Sequence, residues 1–226
     1  MTVKPLLEIA CFNVPDALKA QAIGASRIEF CTSYNDGGLS PDPEVLKQLL
    51  TALHIPVAVM LRIRPGNFVY SNHEHNAHLN LLKHYMDLGI QTFVFGALNA
   101  NGSINEKQTE SILKNCNNLN LVFHRAIDHC SHYTAGITYL AKTGIHRVLT
   151  SGCAKTAVEG IEVLLKLKTM FQSQIEIMPG GGIRALHWHS HFKDQSFVAL
   201  HSACWNIKTQ CMDTTELKAF IQNINA

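Results

Sequence analysis

LGIQTFVFG, residues 88–96, runs from a helix end through a glycine into a strand, and the same phrase recurs as IGASRIEFC (23–31) and TGIHRVLTSG (143–152). In each copy Gly24, Gly89 or Gly144 stands where a left-handed residue closes a helix. A β-branched or aromatic run follows at once. The copies are about two βα units apart, at ~30 residues per unit. Filling the intervals predicts eight strands, at 6–11, 27–31, 57–62, 92–96, 120–124, 147–150, 175–178 and 197–201. Helical patterns such as PEVLKQLLTAL and AVEGIEVLLKLKTMF lie between them. Strict β/α alternation means a parallel sheet with helical crossovers. Eight units in 226 residues favour a compact, single-domain TIM-like (β/α)8 barrel over residues 1–226, with an open doubly wound sheet as the rival. The last helix, TTELKAFIQNI, is expected to seal it after strand eight.

Composition narrows the function classes. Hydrophobic residues make up 46% and charged residues 16%, the balance of a soluble globular protein. A net charge of +2 with no Lys/Arg block argues against a nucleic-acid partner. No apolar run reaches the length of a membrane span, and MTVKPLLEIACF lacks the features of a signal peptide. The seven cysteines form no CxxC pair, which argues against a disulfide framework and for a reducing cytoplasm. No organic cofactor is evident, and a homo-oligomer is left open.

Strand alternation places charges inside the barrel. In LLEIACF, Leu7, Ile9 and Cys11 belong against the helices, so Glu8, Ala10 and Phe12 point inward. By the same logic Glu29 and Cys31 face inward from strand two, and Met60, Arg62 and Arg64 from strand three. His124 and Arg125 end strand five, and Asp128 follows in the loop. Charges in a barrel are costly unless paired, so one reading is a structural ion-pair network. The other is a polar site at the C-terminal mouth, where barrels of this kind carry their chemistry. Glu8, Glu29, Arg62, Arg64, His124 and Asp128 are then the candidate catalytic residues, with Glu8, Glu29 or His124 as general acid or base.

MPGGGIRAL (178–186) adds an anion site. Gly180, Gly181 and Gly182 leave no Cβ to block approach to their N–H groups. A helix expected just beyond them would point its positive end at the same spot. Ser151, Gly152, His201 and Ser202, at the ends of strands six and eight, complete the expected ligand-binding set for a phosphorylated or otherwise anionic small molecule.

LLEIACF, GASRIEFC with GGLSP (37–41), RIRPGNFVYS, VFGAL, FHRAID, RVLTSG and MPGGGIR, in that order from about residue 6 to residue 202, resemble the copper homeostasis protein CutC family. The resemblance implies a TIM-barrel-like fold, a cytoplasmic location and a part in copper handling, with Cu(I) bound through cysteines near strands one and two. Cys31 is the best single candidate for such a ligand, and Cys11 is its neighbour in strand order. The chain departs from the family's usual strand-three phrase at Ile63, Pro65 and Asn67. It also carries Ala10 where some members have cysteine, and alternation turns Cys11 away from Cys31. Cu(I) wants two or three converging sulfurs. The histidines of SNHEHNAH and LHWHSH, including His187 and His191 at helical spacing, read as solvated outer surface. Two classes therefore stand: a copper-binding homeostasis protein, and an acid/base enzyme for an anionic small molecule. The contents of the mouth discriminate them.

Overall fold

The computed structural model describes residues 4–226. Eight strands run β1 (Leu6–Cys11), β2 (Arg27–Phe30), β3 (Val57–Met60), β4 (Thr92–Phe95), β5 (Asn120–Phe123), β6 (Arg147–Thr150), β7 (Glu176–Pro179) and β8 (Ala199–Ser202). They form one parallel sheet in the order β7-β6-β5-β4-β3-β2-β1-β8. The sheet curls so that its two ends meet, a nearly closed (β/α)8 barrel as the β/α alternation predicts. All eight expected strands are present, most of them shorter than predicted.

Around the sheet lie α1 (Val14–Ile23), α2 (Pro43–Leu50), α3 (Asn72–Asp87), α4 (Glu106–Asn115), α5 (Tyr133–Thr143), α6 (Ile161–Phe171) and α7 (Thr214–Asn225). Gly24, Gly89 and Gly144 do take the left-handed conformation just past α1, α3 and α5, with φ of 109°, 87° and 87°. Helix starts are set by side chains. The Asn13 side chain accepts from the Asp16 N–H at 2.8 Å, and Ser71 and Glu74 form a reciprocal capping box on α3. A short antiparallel ribbon, β9 (Trp205–Asn206) with β10 (Cys211–Met212), separates β8 from α7.

One expected helix is missing. Beyond the glycines, residues 185–195 form a 3₁₀ turn, a π turn (Trp188–Phe192) and another 3₁₀ turn. The run is short and buries both Trp188 and Phe192, and the wide turn closes with Lys193 N–H donating to Trp188 O. The glycine turn therefore has no helix end behind it, and the dipole part of the anion argument falls away. His187 ends the first 3₁₀ turn and His191 lies in the π turn, with ring centroids 6.2 Å apart. In the other histidine-rich stretch His78, expected on the surface, is instead buried against Tyr70 and Phe95.

Two apolar cores follow from alternation. Leu7, Ile9, Cys11, Ile28 and Phe30 join the large core between sheet and helices. A small interior core of Cys31, Ala58, Met60, Val94, Val122, Leu149, Met178 and Ala199 fills the barrel. Its modest side chains leave room for charge below and a cavity above. Among the described residues no helix is long and apolar enough to cross a membrane.

Candidate functional site

The C-terminal mouth opens into a cavity of about 450 Å³ lined by Ala10, Phe12, Glu29, Cys31, Met60, Arg62, His124, Arg125, Leu149, Gly181, Gly182, His201 and Ser202, among others. Phe12 and Tyr34 form one wall, and Tyr34 stacks on Trp205 at 4.5 Å and 14°.

The floor is a charge relay. Glu8 faces inward as expected, but it lies one layer below the cavity, two residues before Ala10, and does not line it. Arg27 Nε donates to Glu8 Oε2 at 2.5 Å, and His201 Nδ1 bonds Glu8 Oε1 at 2.8 Å. Burial opposes ionisation of Glu8, but the His201 bond and charge with Arg27 hold its carboxyl down at about 2. An ionised carboxylate only accepts, so His201 Nδ1 carries a proton. Burial opposes charge on His201 too, and Glu29 and Glu8 overcome it, raising its pKa. Glu29 is 3% exposed, and its Oε2 has no partner among the described residues. Burial, reinforced by Glu8, pushes it up to about 7, against the pull of His201 and Arg27. One ligand atom from each of Glu8, Glu29 and His201 lies within 4.8 Å of the others, the spacing of a metal triad. Both Glu8 oxygens and His201 Nδ1 are already engaged, however, and Arg27 supplies the local cation. The trio is better described as a proton-holding cluster.

The strand-three arginines are loop staples. Arg62 gives Nη1 to the carbonyls of Asp36 and Gly38, and Nη2 to that of Gly66 at 3.0 Å. Its buried Nε lacks a partner among the described residues. Arg64 does not face the cavity: it pairs with Glu74 on α3 and donates to the carbonyls of Asn67 and Val69. The strand ends at Met60, so alternation no longer governs residue 64.

His124 lies buried on the wall. Its Nδ1 accepts from Ala126 N–H at 3.1 Å, which puts the proton of the neutral ring on Nε2, a buried atom without a protein partner. Burial, then the Arg62 charge, push its pKa down to about 3. The ring lies over Gly96, where an added Cβ would stand 2.6 Å from Nδ1 and 3.0 Å from the Ala126 Cβ. Gly96→Ala is therefore expected to displace the ring and cost about 1–3 kcal/mol by overpacking. Urea unfolding and the His124 ring resonances would show it; unchanged values for both would mean the ring relaxes freely.

At the end of β6, Asp128 is fully occupied. It accepts from Thr150 Oγ1, from Ser151 N–H and Oγ, and from Arg125 Nε at 2.9 Å. It does not line the cavity, and neither does Ser151 or Gly152. The Ser151 hydroxyl is spent on Asp128 and the Ala154 carbonyl. Gly152 gives its N–H to Thr150 Oγ1 and packs so tightly that a Cβ would lie 2.6 Å from Gly160 O. Gly180, also outside the lining, donates to Thr150 O and leaves room for Leu149 and His201. Ser202 lies at the cavity, but its hydroxyl donates to Ile183 O at 2.8 Å.

What this loop network presents is Arg125, which no candidate set included. Asp128 and Ser151 hold Nε and Nη2, while Nη1 bonds no atom among the described residues and lies beside Gly181, 3.1 Å from where a Cβ would be. The N–H groups of Gly181 and Gly182 donate to no acceptor among the described residues. Arg27 and Arg147 were also missed. They share strand parity with Glu29 and Leu149, so alternation could have found them. Arg147 pairs with Glu176 at 2.6 Å.

Of the sulfurs, Cys31 lines the cavity and Cys11 lies in the outer core, as alternation predicts. The Cys31 thiol is directed at the Cys11 carbonyl, 3.7 Å away. Burial, then Glu29, push its pKa well up.

The sequence matches the model of the CutC family over residues 5–205. A crystal structure assigned as the copper homeostasis protein CutC of Streptococcus agalactiae is 30% identical, with 88% of this chain and 98% of that one covered, at a TM-score of 0.82. Phosphoribosyl anthranilate isomerase from Thermotoga maritima superimposes at a TM-score of 0.65, with 12% identity over 98% of both chains. For 2-keto-3-deoxy-6-phospho-gluconate aldolase from Zymomonas mobilis the TM-score is 0.62, with 13% identity over 100% of this chain and 94% of that one. At those identities the two enzymes share the fold alone.

Proposed function

The chain belongs to the CutC family, and from that premise we propose that it works in copper homeostasis by acting on a small anionic molecule at the barrel mouth. The observation that carries this is the pairing of a buried, unpartnered Glu29 carboxyl on the cavity floor with free N–H donors on the rim. Arg125 Nη1 and the N–H groups of Gly181 and Gly182 would hold the anion. Charge-assisted bonds from a guanidinium are the strong kind. Glu29, pushed up to about 7, populates both protonation states near neutrality, as proton exchange with a bound molecule requires. Glu8 and His201 set that value from below. His124 offers its Nε2–H from the wall, and Asp128 positions Arg125. The free thiols of all seven cysteines suit a cytoplasmic setting.

Calorimetry with inorganic phosphate tests the anion cradle. Arg125→Gln is expected to weaken binding by about ten- to a hundredfold, the loss of one or two charge-assisted bonds. Equal affinity in the variant would remove Arg125 from the site.

A second reading, Cu(I) capture, has one observation in its favour. The Cys31 and Met60 side chains meet over Gly38, where an added Cβ would lie 3.4 Å from Cys31 Sγ and 3.5 Å from Met60 Cε. Thiolate with thioether is a soft pair suited to Cu(I). A Cys11–Cys31 site does not fit, because Cys11 faces the helices. Cu(I) would also have to displace a proton that Glu29 helps keep on Cys31, which ranks this reading second. Anaerobic Cu(I) titration decides it: binding that drops in both Cys31→Ser and Met60→Leu supports it, and equal weak binding in wild type and Cys31→Ser excludes it.

A further inference from the structure

A second hollow of about 770 Å³ adjoins the cavity and shares Asn35, Gly37, Arg62, Phe68 and Arg125 with it. Building on the anion reading above, we infer that this rim groove is a subsite for a hydroxylated arm of the same molecule, so that the ligand is a phosphorylated sugar or polyol rather than a bare anion. The two hollows together are far larger than an inorganic anion needs. Arg125, with its free Nη1, stands where they join.

The chemistry of the groove selects the arm. Asn67 Oδ1 accepts from Arg64 and Val69 N–H, which leaves its Nδ2 to donate. Asn99 Nδ2 donates to Ser103 Oγ and Ile104 O, which leaves its Oδ1 to accept. Asn35 is exposed, and its amide bonds nothing among the described residues. The charges nearby are spent: Arg62 on three carbonyls, and Asp36 on the Ser33 hydroxyl. Neutral donors and acceptors sharing one groove match hydroxyl groups, each of which both gives and accepts. An apolar arm would leave the amides unpaired, at a cost. Beyond Arg125, a second anion would meet only the ring of His129 among the basic side chains lining the groove, since Arg62 is taken up by carbonyls. Val69 and Leu98 offer apolar area for the carbon side of such an arm.

Calorimetry with inorganic phosphate and with ribose 5-phosphate, on the wild type, Asn35→Leu and Asn99→Ala, tests this. Ribose 5-phosphate should bind at least about tenfold tighter than phosphate, the yield of two or three neutral hydrogen bonds. That advantage should shrink in both variants while phosphate affinity stays unchanged. Equal affinities in the wild type, or an advantage undiminished in both variants, would overturn the subsite and leave the anion cradle standing. Failure of both probes to bind would overturn the cradle and the subsite together.

Discussion

Glu29→Gln is expected to make the protein more stable at pH 8, not less. The Glu29 carboxyl moves from its ordinary value of 4.5 to about 7 on folding, chiefly because burial penalises its charge. A carboxyl with a raised folded pKa binds its proton more tightly in the folded state. Its contribution is therefore fully present below pH 4.5, fades between 4.5 and 7, and is gone above. A shift of this size amounts to roughly 3 kcal/mol at about 1.4 kcal/mol per unit, for a group too buried to be screened. Glutamine keeps the shape and never ionises. Urea unfolding of wild type and Glu29→Gln should agree near pH 4 and separate through pH 5–7. Above that, the variant should be ahead by a few kcal/mol. Phosphate binding should survive, because the cradle of Arg125 and the glycine turn does not include Glu29. Parallel stability curves from pH 4 to 8 would mean that Glu29 finds a partner in solution, and would remove it as the proton-exchanging group. Stability given up at one buried carboxyl is what a site maintained for function shows.

Much of this geometry was legible in the sequence, and the failures have physical causes. Glycine followed by an apolar run located β2, β4 and β6, because helix ends and strand starts impose separate, local demands, and the β/α spacing between those copies placed the other five. Alternation placed Glu8, Glu29, Cys31 and Met60 correctly, since a two-residue period leaves no other choice inside a sheet. It failed at Arg64, which lies beyond the last strand residue and follows the carboxylate of Glu74 instead. It also hid Arg125. Parity with His124 sends that residue outward, but the chain turns into a 3₁₀ segment at Arg125–His129 and brings the guanidinium over the mouth. Asp128 reads in the sequence as a catalytic candidate, and Ser151 and Gly152 as ligand contacts, because such residues at strand ends commonly are. Their hydrogen bonds close on one another, which only the folded loop reveals. Ala10 and Cys11 show the opposite case, where one residue's shift along a strand moves a sulfur from the cavity to the outer core.

Arg27→Met should produce the largest loss of stability, about 3–5 kcal/mol at neutral pH, because it strips a buried carboxylate of its cation. Glu8 is 1% exposed, and its only hydrogen-bond partners among the described residues are Arg27 and His201. Its folded pKa of about 2 lies below the ordinary 4.5, so its contribution is present above pH 4.5 and fades as the pH falls toward 2. Without Arg27 the carboxyl titrates higher, and acid unfolding should begin at higher pH. The pair is separable by a double-mutant cycle. Glu8→Gln in the Arg27→Met background leaves no buried charge on the pair, so the double variant should be more stable than Arg27→Met alone. Strict additivity of the two single losses would show that the pair is not coupled. The same cycle reaches the site, because Glu8 is one of the groups raising the His201 pKa. The His201 ring should therefore titrate lower in Glu8→Gln, and Glu29, losing a like charge beneath it while His201 gives up part of its own, reports the balance of the two. The ion pair below the cavity thus acts on the cavity through His201, and the structural and functional readings of the barrel's charges describe one network.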